Sequence, residues 1–173
     1  EKNAVVGDEL GRTSIPHIWV IGDAKARNIQ LAHVAEANGL NAVAAILGKE
    51  PPIDMSVVPS CIYTTPEIAT VGMTEDEAKA AGIKTKSAKF LTGANGKCLI
   101  ENTENGYVKL VADSEDGRII GAQMICPRAT DMIGELALAV KNRVTAEELH
   151  SVIHSHPTFS EMISGAADLL MSK

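Results

Sequence analysis

Two runs of alternating apolar character, Tyr107–Asp113 and Arg118–Cys126, flank the tetrapeptide Ser114-Glu115-Asp116-Gly117. An Asp-Gly step between two such runs is a strong hairpin signal, because glycine accepts the backbone angles a tight turn demands. An antiparallel pair of this length commits the surrounding chain to a sheet and to elements that cover one of its faces. Further strands are predicted at 57–64, 68–73, 85–90 and 97–101 from β-branched and apolar runs bounded by turn residues. Thr74-Glu75-Asp76-Glu77 is a capping box that opens a helix ending near Gly82, and Thr145-Ala146-Glu147-Glu148 opens another. A helix over 130–142 places Ile133, Leu136, Ala137 and Val140 on one face. A last helix places Phe159, Met162, Ile163, Ala166 and Leu170 together. The pattern predicts an α+β domain over residues 51–173, an antiparallel sheet with helices packed on one side.

The first section, residues 1–50, has a different grammar. Ile18-Trp19-Val20-Ile21 reads as a short buried strand that ends at Gly22-Asp23. A helix over 31–47 follows, apolar at Leu31, Val34, Ala35, Ala42, Val43 and Ile46. Gly48 is its stop and Pro51-Pro52 a linker. Strand, turn and helix of this size bury too little surface to form a core unaided. The start lacks an initiator Met, and the chain is read as a piece of a longer one.

Composition narrows the function classes. The formal net charge of -6 disfavours nucleic acid, which is bound through clustered Lys and Arg. No apolar run approaches the roughly 20 residues of a membrane span, and residues 1–8 do not resemble a signal peptide. Cys61, Cys98 and Cys126 stand apart from one another, without metal or redox spacing, and are read as buried thiols of a cytoplasmic protein.

Two motifs carry chemistry. In His154-Ser155-His156-Pro157-Thr158-Phe159-Ser160-Glu161, Pro157 stiffens the chain beside His156. Thr158 is placed to cap the final helix, with Glu161 in its first turn. A carboxylate there can accept a hydrogen bond from one imidazole nitrogen and raise the basicity of the other, as a proton-transferring base requires. The plainer reading is a Thr158–Glu161 capping box with His156 an incidental loop residue, and spacing alone does not decide between them. His154 reads as a surface or packing residue. In the second motif, Asp23 lies beside Gly22 at a strand end and can face a ligand's hydroxyl groups. The N–H groups around Leu31 and Ala32 can face an electron-rich ligand atom. A plain strand-to-helix turn fits the same residues.

Taken together, Thr13 to Ala24 resembles the second flavin-binding fingerprint of the pyridine nucleotide–disulfide oxidoreductases, and His156-Pro157-Thr158 with Glu161 resembles the signature that closes that family's chains. Residues 58–75 resemble the opening of its interface domain. Gly121-Ala122-Gln123 and Arg128 to Ile133 resemble the dihydrolipoamide dehydrogenase branch. The resemblance implies that residues 1–50 are the end of an FAD-binding domain and 51–173 a dimerisation domain. It implies FAD contacts at Gly22, Asp23, Leu31, Ala32 and His33, with Asp23 on the ribityl chain. It also implies His156 as the base that deprotonates a dihydrolipoamide thiol, Glu161 as its orienting partner, and a cis His156–Pro157 bond.

A homodimer with NAD as electron acceptor follows from the same resemblance. So does service to the lipoyl domain of a 2-oxo acid dehydrogenase or glycine-cleavage complex. The chain holds neither a Gly-x-Gly-x-x-Gly nor a Cys-x-x-x-x-Cys; by the family pattern these are expected upstream, and the chain alone is expected to be inert. A sibling disulfide reductase of the glutathione-reductase kind, or a non-catalytic α+β dimerisation module, are the alternatives. A mercuric-reductase type of ending is disfavoured, since no paired cysteines close the chain.

Overall fold

A computed structural model describes residues 3–103 and 105–172. They fall into two compact units, Glu1–Ser56 and Val57–Lys173.

In the first unit a 3-10 turn, Gly22–Ala24, is followed by helix α1, Ala32–Ile46. The strand expected at 18–21 does not form. Trp19 makes one isolated antiparallel bridge to Arg12, and the Val20 N–H donates to the Gly11 carbonyl at 2.8 Å. Val20 is buried, but Ile18 and Ile21 are exposed. A strand needs a continuous neighbour to complete its ladder, and within this unit only single bridges are available. The expected apolar face of α1 is also revised, since Val43 and Ile46 are exposed while Asn38 and Asn41 are buried. Asn41 holds both backbone groups of Ile53, its Oδ1 accepting at 2.9 Å and its Nδ2 donating at 2.8 Å. The helix turns inward the side chains that satisfy a neighbouring loop. Gly48, at φ +67, ends it as anticipated.

The second unit is built on a five-stranded antiparallel sheet. Its strands are β1 (Ser60–Ile62), β2 (Glu67–Gly72), β3 (Thr85–Leu91), β4 (Tyr107–Asp113) and β5 (Ile119–Cys126), in the order β1-β2-β5-β4-β3. The hairpin forms as read: Asp113 donates to the Arg118 carbonyl at 2.9 Å, and Gly117 takes φ +74. Alternation along the strands puts Ala69, Val71, Ala88, Val108, Leu110, Ala122 and Met124 on one face, all buried.

Helices α4 (Ala129–Lys141) and α6 (Glu161–Met171) cover that face, α4 over β2 and β5, α6 over β3 and β4. Helix α5 (Ala146–Ser151) packs on α6. Leu136, Met162 and Ile163 complete a fully buried layer. Helix α2 (Glu75–Ala80) attaches differently, since Glu75 pairs with Lys109 and Ser87, which alternate away from the core. Both expected capping boxes form, Thr74 with Glu77 and Thr145 with Glu148.

Two expectations are corrected here. The strand predicted at 97–101 is helix α3, Gly96–Ile100. Asn95 precedes it, and its Oδ1 accepts from the Cys98 N–H at 2.9 Å. That side-chain cap is the local reason a helical turn wins. Cys61 is only half-buried, whereas Cys98 and Cys126 are buried. Burial pushes all three thiols up, Cys126 to about 12, which keeps them protonated.

Candidate functional site

The segment 152–160 joins α5 to α6 and carries the histidine motif. His156–Pro157 is a cis peptide bond, as the family resemblance implied. Thr158 does not cap α6; the flanking residue is Ser160, and it makes no side-chain cap. Thr158 is held in place by all of its polar groups instead. Its N–H donates to Glu161 Oε2 at 2.8 Å and its hydroxyl to the Ser155 carbonyl at 2.7 Å. Its carbonyl accepts from Asn95 Nδ2 at 3.0 Å.

Glu161 therefore serves two donors. Oε2 takes the Thr158 N–H, and Oε1 lies 2.9 Å from His156 Nδ1. The cap-like contact and the imidazole contact coexist, because a carboxylate has two oxygens to give. The Thr158 N–H, and after it the His156 ring, hold the Glu161 carboxyl below the usual range. With an ionised acceptor at Nδ1, the imidazole proton resides there and Nε2 presents its lone pair outward. The His156 side chain is 77% exposed, so that nitrogen is open to an incoming group. Chemically, an imidazole held in this way can serve as an oriented general base.

The other predicted site residues lie in the first unit. Gly22 takes φ +60 and sits so close to α1 that a Cβ would lie 2.8 Å from Ala35 Cβ. Its N–H donates to the buried Asn38 Oδ1 at 3.3 Å, and its carbonyl accepts from Asn28 Nδ2 at 3.0 Å. Asp23 is exposed next to it. Leu31 precedes α1 and makes no side-chain cap, and Ala32 and His33 form the first turn of that helix. Both residues are exposed. The glycine is thus required by packing.

Sequence reasoning missed two contributors to the histidine site. Asn95 carried a signal, an Asn just before a possible helical turn, that the apolar pattern of 97–101 obscured. His154, read as a surface or packing residue, takes the packing alternative with its side chain 7% exposed, and the contributor that was missed is its partner, Glu135. Nothing in the local spacing relates positions 135 and 154, since the contact is made across elements. Among the described residues there is no cluster of three or more His, Cys, Asp or Glu that could hold a metal ion. No helix among them is long and apolar enough to cross a membrane.

Residues 58–167 match the family described as pyridine nucleotide-disulphide oxidoreductase, dimerisation domain. A dihydrolipoyl dehydrogenase of Bacillus subtilis is 45% identical over 168 residues, covering 96% of this chain and 35% of that protein. The dihydrolipoyl dehydrogenase of Geobacillus stearothermophilus is 43% identical, covering 95% of this chain and 35% of its own length. The HOCl-induced flavoprotein disulfide reductase RclA of Escherichia coli is similar in structure, with a TM-score of 0.90 at 25% identity, covering 98% of this chain and 39% of that one. The chain spans just over a third of the length of the curated relatives it matches.

Proposed function

Because the chain belongs to the pyridine nucleotide-disulphide oxidoreductase family, we propose that it is the C-terminal part of a dihydrolipoamide dehydrogenase and supplies that enzyme's acid/base pair. The observation that carries this reading is the exposed His156 with Nδ1 bound to Glu161 at 2.9 Å. Similarity to dihydrolipoyl dehydrogenases over nearly the whole chain supports the choice of branch.

A neutral thiol is a weak nucleophile, and only its thiolate attacks a disulfide efficiently. In the proposed step the S–H bond of a dihydrolipoamide thiol breaks and its proton passes to Nε2 of His156. The imidazolium so formed donates from Nδ1 to Glu161, whose charge stabilises it. The thiolate then attacks a redox disulfide carried elsewhere in the full-length protein: a mixed disulfide forms as the old S–S bond breaks, and the thiolate released receives the proton held by His156. Glu161 keeps the ring from rotating, because Thr158 and Asn95 hold the carboxylate's own support in register.

Gly22, Asp23 and the start of α1 at Leu31, Ala32 and His33 are the residues that would hold FAD, Asp23 toward its ribityl hydroxyls. Held there, it would supply the redox relay between the disulfide centre and NAD. The homodimer, and a lipoyl-bearing 2-oxo acid dehydrogenase or glycine-cleavage complex as partner, belong to this same reading.

The test is His156→Ala in the full-length enzyme. Loss of a general base costs on the order of 100- to 10,000-fold in turnover of dihydrolipoamide, with the dimer preserved. Turnover within a few-fold of the parent would leave residues 57–173 a dimerisation module and overturn the catalytic reading.

A further inference from the structure

The segment bearing His156 contains a second imidazole–carboxylate pair with the opposite exposure. His154 Nε2 lies 3.0 Å from Glu135 Oε1 on α4, and His154 Nδ1 lies 3.0 Å from the Val152 carbonyl. The ring is 7% exposed, against 77% for His156. Both of its nitrogens face acceptors, so neither offers a lone pair to a substrate, and either neutral tautomer leaves one acceptor without a donor. A ring so occupied turns neither nitrogen toward solvent. Its contacts instead join the segment 152–160 to the middle of a core helix.

We infer that His154 and Glu135 are positioning residues, which lock the segment onto α4 and thereby place His156 for proton transfer. Three elements then hold that segment: α4 through Glu135, α3 through Asn95, and α6 through Glu161. The charged groups that face His154 are the carboxylates of Glu135 and, through space, Glu161, whose ionised form His154 also favours. A single residue, Ser155, separates the buried ring from the exposed one, so a shift of the first is passed on to the second. Displacing a reacting group by about 1 Å costs on the order of 100-fold, so partial loosening of one anchor among three is expected to cost ~10-fold.

The inference rests on the reading of His156 as the base, and the experiment separates the two. In the full-length enzyme, kcat and KM for dihydrolipoamide are compared for His154→Ala, Glu135→Ala, the double variant, Glu135→Gln and His156→Ala. Each alanine single is expected to lower kcat ~10-fold with KM for NAD unchanged. The double should be no worse than the poorer single, because both remove one contact. Glu135→Gln, which keeps an acceptor oxygen, should recover most of the loss. Singles that lose less than about threefold, or losses that multiply in the double, overturn the positioning role.

Full activity in His154→Ala beside an inactive His156→Ala removes only this inference, whereas an active His156→Ala removes the underlying reading. Should the alanine variants fail to fold, imidazole 1H–15N spectra of the unmodified 173-residue chain decide. Slowly exchanging protons on the His154 ring and fast exchange on His156 support the anchor; fast exchange on both overturns it.

Discussion

The carboxylate of Glu161 divides its two oxygens between the Thr158 N–H and the His156 ring, and this division has a pH consequence. Those two donors hold the carboxyl below its ordinary value of 4.5, the Thr158 N–H foremost. The folded chain therefore binds that proton more weakly than the unfolded one. The contribution to stability is complete above about 4.5 and is lost as pH falls through the lower folded value. A carboxyl-carbon NMR titration should give Glu161 a midpoint below 4.5, and a midpoint at or above it would show that neither donor reaches the ionised oxygen. The His156–Glu161 pairing was legible only as one of two readings that the spacing allowed, the one that the family resemblance implied. The role of Thr158 was not, because its hydroxyl prefers the Ser155 carbonyl to the helix end. A threonine has several acceptors within reach, and only the folded loop selects one.

At the scale of elements, α2 and α5 form from local signals, their capping boxes. Helix α4 shows the contrary case. Its flanking residue, Arg128, is left-handed and makes no side-chain cap. Glu67 of β2 reaches across to accept from the Thr130 N–H at 2.9 Å and from its hydroxyl at 2.7 Å. No sequence window contains both residues, so this cap is a product of the sheet. Two glycines in these helices are expected to respond oppositely to the same substitution. A Cβ at Gly165 of α6 would lie 2.4 Å from the ring of Phe90 on β3, whereas at Gly134 of α4 it would meet open space. Gly165→Ala should cost roughly 1–3 kcal/mol by overpacking. Gly134→Ala should stabilise by about 0.5–1 kcal/mol through helix propensity. Urea unfolding of the two variants checks the pair: equal signs would mean that α6 does not press on β3 as closely as described.

For the molecule as a whole, the division of labour between the two units bears on cofactor binding. The first unit presents the proposed Gly22, Asp23 and α1 contacts, but no glycine-rich phosphate loop occurs in the chain. The 173-residue chain mixed with FAD and passed over a desalting column should emerge without stoichiometric flavin absorbance; a yellow, fully loaded protein would refute this. Much of the second unit's sheet was readable beforehand, because alternation, hairpin turn and capping boxes are local and agree with one another. Residues 18–21 and 97–101 were misread for one reason. A short apolar run has no conformation of its own, and it follows the cap or the neighbouring strand it finds. The amino-acid sequence by itself determined the antiparallel hairpin and most of the helices, since each depends on groups a few residues apart. Only the tertiary structure decided that Glu135 meets His154, that Asn95 holds Thr158 and that Glu67 caps α4. Those contacts join residues distant along the chain, and their geometry exists only once the sheet has set the elements side by side.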